Sequence, residues 1–352
     1  MDTVDLAIVG GGVIGALIAR EALEAVPDAT VAVLDRGLIG QGASGRSAGV
    51  HFPRGATERV RSMSEYSHHA WERLAAALAL PIRAVDATVV SSGAPDLVAD
   101  TYLWLGDRTR PADPSRGWAA PPGARAWTLP GCNYADVQGV TARVLAELRD
   151  RVLVLEGTEV TGLTSDGEHR LTLGQGGQLL ARRVVLAPGP WIGHPAWADL
   201  VGPLRLRVKK VVAAHLDLSP APGDQLAIFH DEDAFLLPRH DRGHFLFSYT
   251  CDRWDVTPGD TDLVLTRSDL DDARAVLARF APGLVDRCNS GRVFCDAFSP
   301  RREPVVTELR PGLVFAGAAN GSGYRLAPAI AAETLAALDT TPTPSRAGRS
   351  QP

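Results

Sequence analysis

Residues 4–40 read VDLAIVGGGVIGALIAREALEAVPDATVAVLDRGLIG, and the order of features in this stretch decides the fold. An apolar run at Leu6, Ala7, Ile8 and Val9 feeds into Gly10, Gly12 and Gly15. A helical pattern follows, and a second apolar run over 31–34 ends at Asp35. The pattern predicts a strand, a tight turn, a helix, a second strand and a terminal acid. Gly10 permits the sharp turn, Gly12 lets a pyrophosphate approach the backbone, and Gly15 lets the helix lie close to the strand. The helix N-terminus offers free N–H groups and a partial positive charge to phosphates, while Asp35 can accept hydrogen bonds from a ribose diol. These residues predict a dinucleotide site without choosing the dinucleotide.

The bulk properties narrow the setting. A chain of 352 residues can form one large or two modest domains around a substantial core. A formal charge of −5 with mixed signs argues against nucleic acid or an anionic membrane as the main partner. Cys132, Cys251, Cys288 and Cys295 are scattered, with no CxxC and no metal-ligand spacing, which argues against a disulfide framework or zinc site and fits a reducing cytoplasm. The sequence opens directly into a strand, and no apolar run approaches the about eighteen residues of a membrane span. A soluble, cytoplasmic protein is expected.

After Asp35 comes GLIGQGASGRSAGVHFPRG, a loop able to bring backbone and hydroxyl donors to a ligand at the carboxyl edge of a parallel sheet. A long amphipathic helix is predicted over 57–80, stopped by Pro81; His68 and His69 within it read as solvated or core-edge residues rather than ligands. Residues 82–93 are strand-like. Over 100–132 the Pro, Gly, Arg and Trp content predicts irregular structure packed by Trp104, Trp118 and Trp127 and partly covering a pocket. A helix over 140–149 and short strands over 152–155, 159–163, 170–173 and 183–187 follow, the last running into APGPW. Alternation over 205–249 predicts an antiparallel sheet with one solvated face. Ser268 is read as opening a helix that Pro282 and Gly283 end. The segment GLVFAGAANGSGYRLAPAIAAETLAAL then gives a strand, a glycine-rich turn and a helix, and a disordered tail is expected from Thr340.

Four separated segments, the N-terminal fingerprint, GASGRSAG, VVLAPGPW and GLVFAGAANGSGYRLAPAIA, together resemble the D-amino-acid-oxidase-like superfamily of FAD-dependent amine and amino-acid oxidoreductases, which includes glycine oxidase, monomeric sarcosine oxidase and D-arginine dehydrogenase. The resemblance spans nearly the whole chain. It implies an α/β protein with an added antiparallel sheet: a discontinuous Rossmann-like FAD-binding domain (1–80, 136–200 and 291–340) and a substrate domain on a mostly antiparallel sheet (81–135 and 201–290), with 341–352 as tail. It further implies that Gly10, Gly12 and Gly15 hold the pyrophosphate, that Asp35 and the adjoining Arg36 meet the adenosine ribose, and that Ala43, Ser44, Gly45 and Arg46 lie near the pyrophosphate and flavin. Val160 would meet the adenine, Gly189 and Trp191 would form the turn after the strand, and Asn320, Gly321, Ser322, Gly323, Tyr324, Arg325 and Leu326 would bring a helix N-terminus to the flavin pyrimidine ring.

The implied reaction is oxidation of a C–N bond of an amine, imino acid or amino acid by hydride transfer to flavin N5, with O2 or another electron acceptor as second partner. By the same resemblance Arg325 would clamp a substrate carboxylate, Arg54 would supply a second cation, and His51 would face the substrate. Asp296 stands where many relatives carry a carboxylate-binding arginine, which would favour a cationic or hydroxylated substrate group over a simple α-amino acid. No lysine appears over 243–249, where sarcosine oxidase has its oxygen-activating lysine; Lys209 and Lys210 belong to an earlier strand. Cys295 falls one residue from the position of a flavin-bound cysteine, so noncovalent FAD is expected. Oxidation of a 2-hydroxy acid on the same fold, a partner-dependent flavoprotein subunit and, last, an NAD-dependent dehydrogenase are the alternatives.

Overall fold

The computed structural model of the chain describes residues 3–106, 108–109, 118–259 and 263–339. The expected tail lies outside them. Two eight-stranded sheets and a small three-stranded sheet carry the fold.

The first sheet grows from the opening stretch. Thr3–Val9 pairs in parallel with Val31–Leu34 on one side and with Gln178–Leu186 on the other; Val152–Leu155 and Leu313–Gly317 extend the parallel core outward. The Val160–Asp166 and Glu168–Leu173 hairpin and the Val305–Arg310 strand add antiparallel edges. Such a sheet needs helices on it, since both faces of its central strands are apolar. The Val13–Ala25 helix packs between the Val137–Glu147 and Gly323–Asp339 helices, and Ile8, Leu17, Ile18, Val33, Val144 and Ile330 meet in one core. The long helix runs over Glu58–Leu78, with the Thr57 hydroxyl accepting from the Val60 amide at 3.3 Å. Among the described residues no helix is long and apolar enough to cross a membrane.

The second sheet orders Cys288–Phe298, Arg207–Leu216, His244–Ser248, Ala234–Arg239, Leu226–Phe229, Ala87–Ser91, Arg125–Thr128 and Arg108–Thr109. It is antiparallel except where Leu226–Phe229 runs parallel to Ala87–Ser91. Cys288–Phe298 pairs with Arg207–Leu216 along nearly its whole length, so position 291 falls inside a strand of this sheet.

Three local expectations change. Among the described residues the sheet has no broad solvated face: Val212, Ala214, Phe229 and Phe247 pack beneath the Arg267–Leu277 helix, while Ala213, Ile228, Leu237 and Leu246 pack on Phe52, Tyr102 and Tyr134. Its strands therefore bury alternate side chains against two different layers. The Arg267–Leu277 helix is capped by Thr266, not opened by Ser268, because only Thr266 places Asp269 where hydroxyl and carboxylate can close a reciprocal capping box. Residues 100–132 are not wholly irregular. Trp127 lies within the Arg125–Thr128 strand and Trp118 is buried against Phe229, while 110–117 lie outside the described residues.

Candidate FAD and substrate site

A cavity of about 660 Å³ runs from the fingerprint turn to the second sheet. Gly10 and Gly15 show how its floor is built. Gly10 adopts φ +115, and a Cβ there would stand 2.1 Å from the Ala187 carbonyl oxygen; a Cβ at Gly15 would stand 2.0 Å from the Gly10 oxygen. The turn is thus locked between its own helix and the end of the Gln178–Leu186 strand, with the helix N-terminus opening on the cavity. Ser44 Oγ accepts from the Val13 amide at 3.0 Å, tying the GASGRSAG loop to that helix. Asp35 Oδ2 and Oδ1 accept from the Gly11 and Gly37 amides, each at 2.8 Å, which holds the carboxylate at the cavity edge.

The end of the cavity expected to take adenosine contains groups that no short motif marks. The Arg36 guanidinium lies 5.4 Å from the Trp191 ring centroid, and Glu159 accepts from or ion-pairs with His194 at 3.2 Å. Val160, Gly189 and Trp191 line this end. At the other end Ala318, Asn320 and Gly321 take left-handed φ values of 49, 54 and 77. Asn320 holds the turn by accepting from the Ser299 amide at 2.9 Å and donating to the Ala318 oxygen at 2.7 Å. The turn then opens the Gly323–Asp339 helix onto the cavity through Asn320 to Leu326. Orphan N–H groups at two helix N-termini, one at each end, and a glycine cradle fit a long dianionic dinucleotide.

Of the predicted cofactor residues, Gly10, Gly12, Asp35, Arg36, Ala43, Ser44, Arg46, Val160, Gly189, Trp191 and Asn320 to Leu326 line this one cavity. Gly15 and Gly45 do not. Gly45 serves close packing instead, since a Cβ there would stand 2.7 Å from the Gly40 oxygen.

The end expected to take substrate gathers Arg54, Asp233, Lys209, Asp296 and Arg325. Arg325 donates to Ser322 Oγ at 2.5 Å and lies 5.0 Å from the Phe52 ring centroid, but its buried Nε has no partner among the described residues. Burial, then the nearby Arg54 charge, pushes it down to about 10, so it remains a cation near neutrality. Arg54 is compensated by Asp233 at 2.7 Å. Asp233, held at φ 46 and also accepting from Thr250, was invisible to sequence patterns. Lys209 reaches the cavity after all: its Nζ sits 4.9 Å from the Trp254 ring centroid and 5.5 Å from that of Phe298, and burial lowers its pKa. Lys210 also borders the cavity, but its Nζ donates to Asp269 at 2.7 Å.

One expectation is corrected here. His51 does not line the cavity; it is fully buried in the layer behind the wall, stacked on His68 with ring centroids 5.6 Å apart. Neither of its ring nitrogens has a well-formed hydrogen bond among the described residues, and burial pushes it down to about 3, so it is a neutral packing element beside Arg325. Asp296 lines the cavity but its carboxylate is committed to the closing turn, Oδ2 accepting from the Gly321 amide at 2.9 Å and Oδ1 from the Ala297 amide at 2.8 Å.

Burial pushes Asp296 up to about 6. The folded chain then holds this proton more tightly than the unfolded chain, so the group's stabilising contribution is present below the ordinary 3.8 and is lost as pH rises through about 6. Melting curves recorded across that interval should show wild type losing stability with rising pH relative to Asp296→Asn. Parallel curves would contradict the assignment.

A sequence profile described as FAD dependent oxidoreductase matches residues 5–338. The chain belongs to that family. Membership makes this protein an FAD dependent oxidoreductase of the D-amino-acid-oxidase-like superfamily, and the cavity's glycine cradle and paired helix ends agree with FAD as its cofactor. No curated protein sequence matches the chain. Among solved structures, L-proline dehydrogenase from P. horikoshii is similar with a TM-score of 0.80 at 17% identity, covering 97% of this chain and 96% of that one. Glycine oxidase from Geobacillus kaustophilus gives 0.74 at 19%, covering 97% and 96%. L-alpha-glycerophosphate oxidase from Mycoplasma pneumoniae gives 0.75 at 16%, covering 98% and 97%. At these identities the likeness establishes the shared fold.

Proposed function

We propose that this flavoprotein oxidises the C–N bond of a carboxylate-bearing amine, imino acid or amino acid, with FAD held noncovalently. The observation that carries the reading is the pairing of charges at the substrate end. Arg325 presents a guanidinium with no carboxylate partner among the described residues, and Asp233 lies close enough to bias its ionisation. A guanidinium can grip a carboxylate through two parallel hydrogen bonds. The Asp233 carboxylate faces the same cavity and suits an ammonium group, so the two together match a zwitterion. A 2-hydroxy acid would satisfy Arg325 equally well but bring no positive charge to the Arg54–Asp233 pair.

When bound, FAD supplies a two-electron acceptor at N5 for a hydride leaving the carbon that bears nitrogen, giving an imine that water can hydrolyse. The chain's own residues orient and shield. Arg325 fixes the carboxylate, Phe52 and Phe235 exclude water from the reacting carbon, and the first turn of the Gly323–Asp339 helix offers N–H dipoles to developing negative charge. Cys295 lines the cavity, but burial, then Asp296, pushes its thiol up to about 12. A neutral thiol is a poor nucleophile, which supports noncovalent FAD.

The test is anaerobic flavin bleaching by matched pairs sharing one carbon skeleton, an amino or imino acid against its 2-hydroxy counterpart. Faster bleaching by the nitrogen compound is expected. Bleaching by the hydroxy acid alone would replace this reading with oxidation of a C–OH bond, and no bleaching by either would favour a subunit that needs a partner.

A further inference from the structure

Outside the cavity, on the Glu58–Leu78 helix, the ligating atoms of His68, His69 and Glu72 all lie within 4.8 Å of one another. His68 Nε2 is 3.4 Å from Glu72 Oε1, and His69 Nδ1 is 3.3 Å from Glu72 Oε2. Both separations are long for a charge-assisted hydrogen bond, whose N···O distance is about 2.7–2.9 Å. They run to different oxygens of the one carboxylate, and the exposed side chains need only a small inward movement to reach the about 3.3–3.5 Å that bonds of about 2.0–2.2 Å at tetrahedral angles set between neighbouring ligand atoms.

The surroundings fix one ligand and leave the others free to close on an ion. The His68 side chain is only 11% exposed. Its ring is stacked on His51, meets Trp104 edge-on with centroids 4.8 Å apart, and abuts Gly131, where a Cβ would stand 2.8 Å from its Cε1. Trp104 also leans on His69 at 6.0 Å and holds φ 54, a backbone state uncommon for a bulky residue and often found where a site constrains the chain. His69 and Glu72 are 54% and 63% exposed, which leaves the outer side open to solvent.

We propose that His68 Nε2, His69 Nδ1 and the Glu72 carboxylate form a binding site for a divalent transition ion of zinc's class, with water completing the coordination. Two imidazoles and one carboxylate select against magnesium and calcium, which take oxygen ligands. The site stands apart from the flavin reading, yet it adjoins the substrate end. The ion fixes the His68 ring, His68 stacks on His51, and His51 lies beside Arg325.

The experiment is calorimetric titration of ZnCl2 into untagged protein freed of metal by a chelator and otherwise as purified, with MgCl2 as control. One saturable zinc site per chain is expected, with no response to magnesium. His69→Ala and Glu72→Gln should each weaken zinc binding at least about tenfold, the scale on which support for a metal site usually matters. Both positions are exposed, so the variants should melt as wild type does without zinc. Saturating zinc should raise the melting temperature of wild type and leave both variants where they were, since an ion that binds only the folded state stabilises it. No saturable binding in wild type, or equal binding by the two variants, would overturn the site.

Discussion

Replacing Arg325 with methionine is expected to lower kcat/KM for a carboxylate-bearing amine by about 10²–10³-fold while the protein still binds FAD. The guanidinium is the one cation at the substrate end, among the described residues, whose Nε is buried without a partner and which has no carboxylate against it. Truncating a desolvated group that pairs with an ion costs about 2–5 kcal/mol, each 1.4 kcal/mol being about tenfold. The loss should fall on substrates with a carboxylate and spare a matched amine without one, because the missing contact is with that group. Arg325→Lys should recover only part of the loss, since an ammonium cannot make two parallel bonds. Stopped-flow measurement of flavin reduction checks this directly. Equal losses for both substrates would mean that Arg325 supports the turn and not the ligand.

The second large effect is at the other end of the cavity. Gly15→Ala is expected to cost FAD affinity at least about 100-fold and to lower the melting temperature by several degrees. The added methyl carbon would stand 2.0 Å from the Gly10 oxygen, with Ile8 Cγ2 also close at 3.3 Å. Neither neighbour can swing away, because one is backbone and the other belongs to the central strand. The Val13–Ala25 helix must then lift from Thr3–Val9, which takes its N-terminus away from the phosphates. Overpacking of this kind typically costs about 1–3 kcal/mol in stability, occasionally more. Titration of FAD into the apoprotein measures the affinity term separately. Wild-type affinity in this variant would show that the close helix approach is dispensable.

Legibility followed the range of the interactions. The fingerprint turn, the GASGRSAG loop and the closing glycine turn were readable because each is marked by small or hydroxyl residue types at fixed spacing: a glycine at φ +115, a serine whose hydroxyl accepts from a helix amide, and left-handed residues at 318, 320 and 321. Arg325 was readable as part of such a turn. Asp233 was not, since what gives it a role is Arg54 lying 179 positions away. Lys209 and Lys210 are adjacent and both border the cavity, and only strand alternation decides that one Nζ meets Trp254 and the other Asp269. His51 failed for the converse reason. Its neighbour Phe52 faces the cavity, and a one-residue alternation puts His51 behind the wall. Thr266 and Ser268 are both good caps, and Asp269 three residues after Thr266 selects between them. The second sheet misled because its alternation separates two buried layers.

We infer that the first forty residues and the closing turn form the two ends of a single FAD site. Titrating FAD into apoprotein and then precipitating the complex with acid distinguishes this from the alternatives. One FAD bound per chain, with all the flavin released to the supernatant, is the predicted result. A chain that binds no flavin, or flavin that stays in the pellet on Cys295, would contradict it.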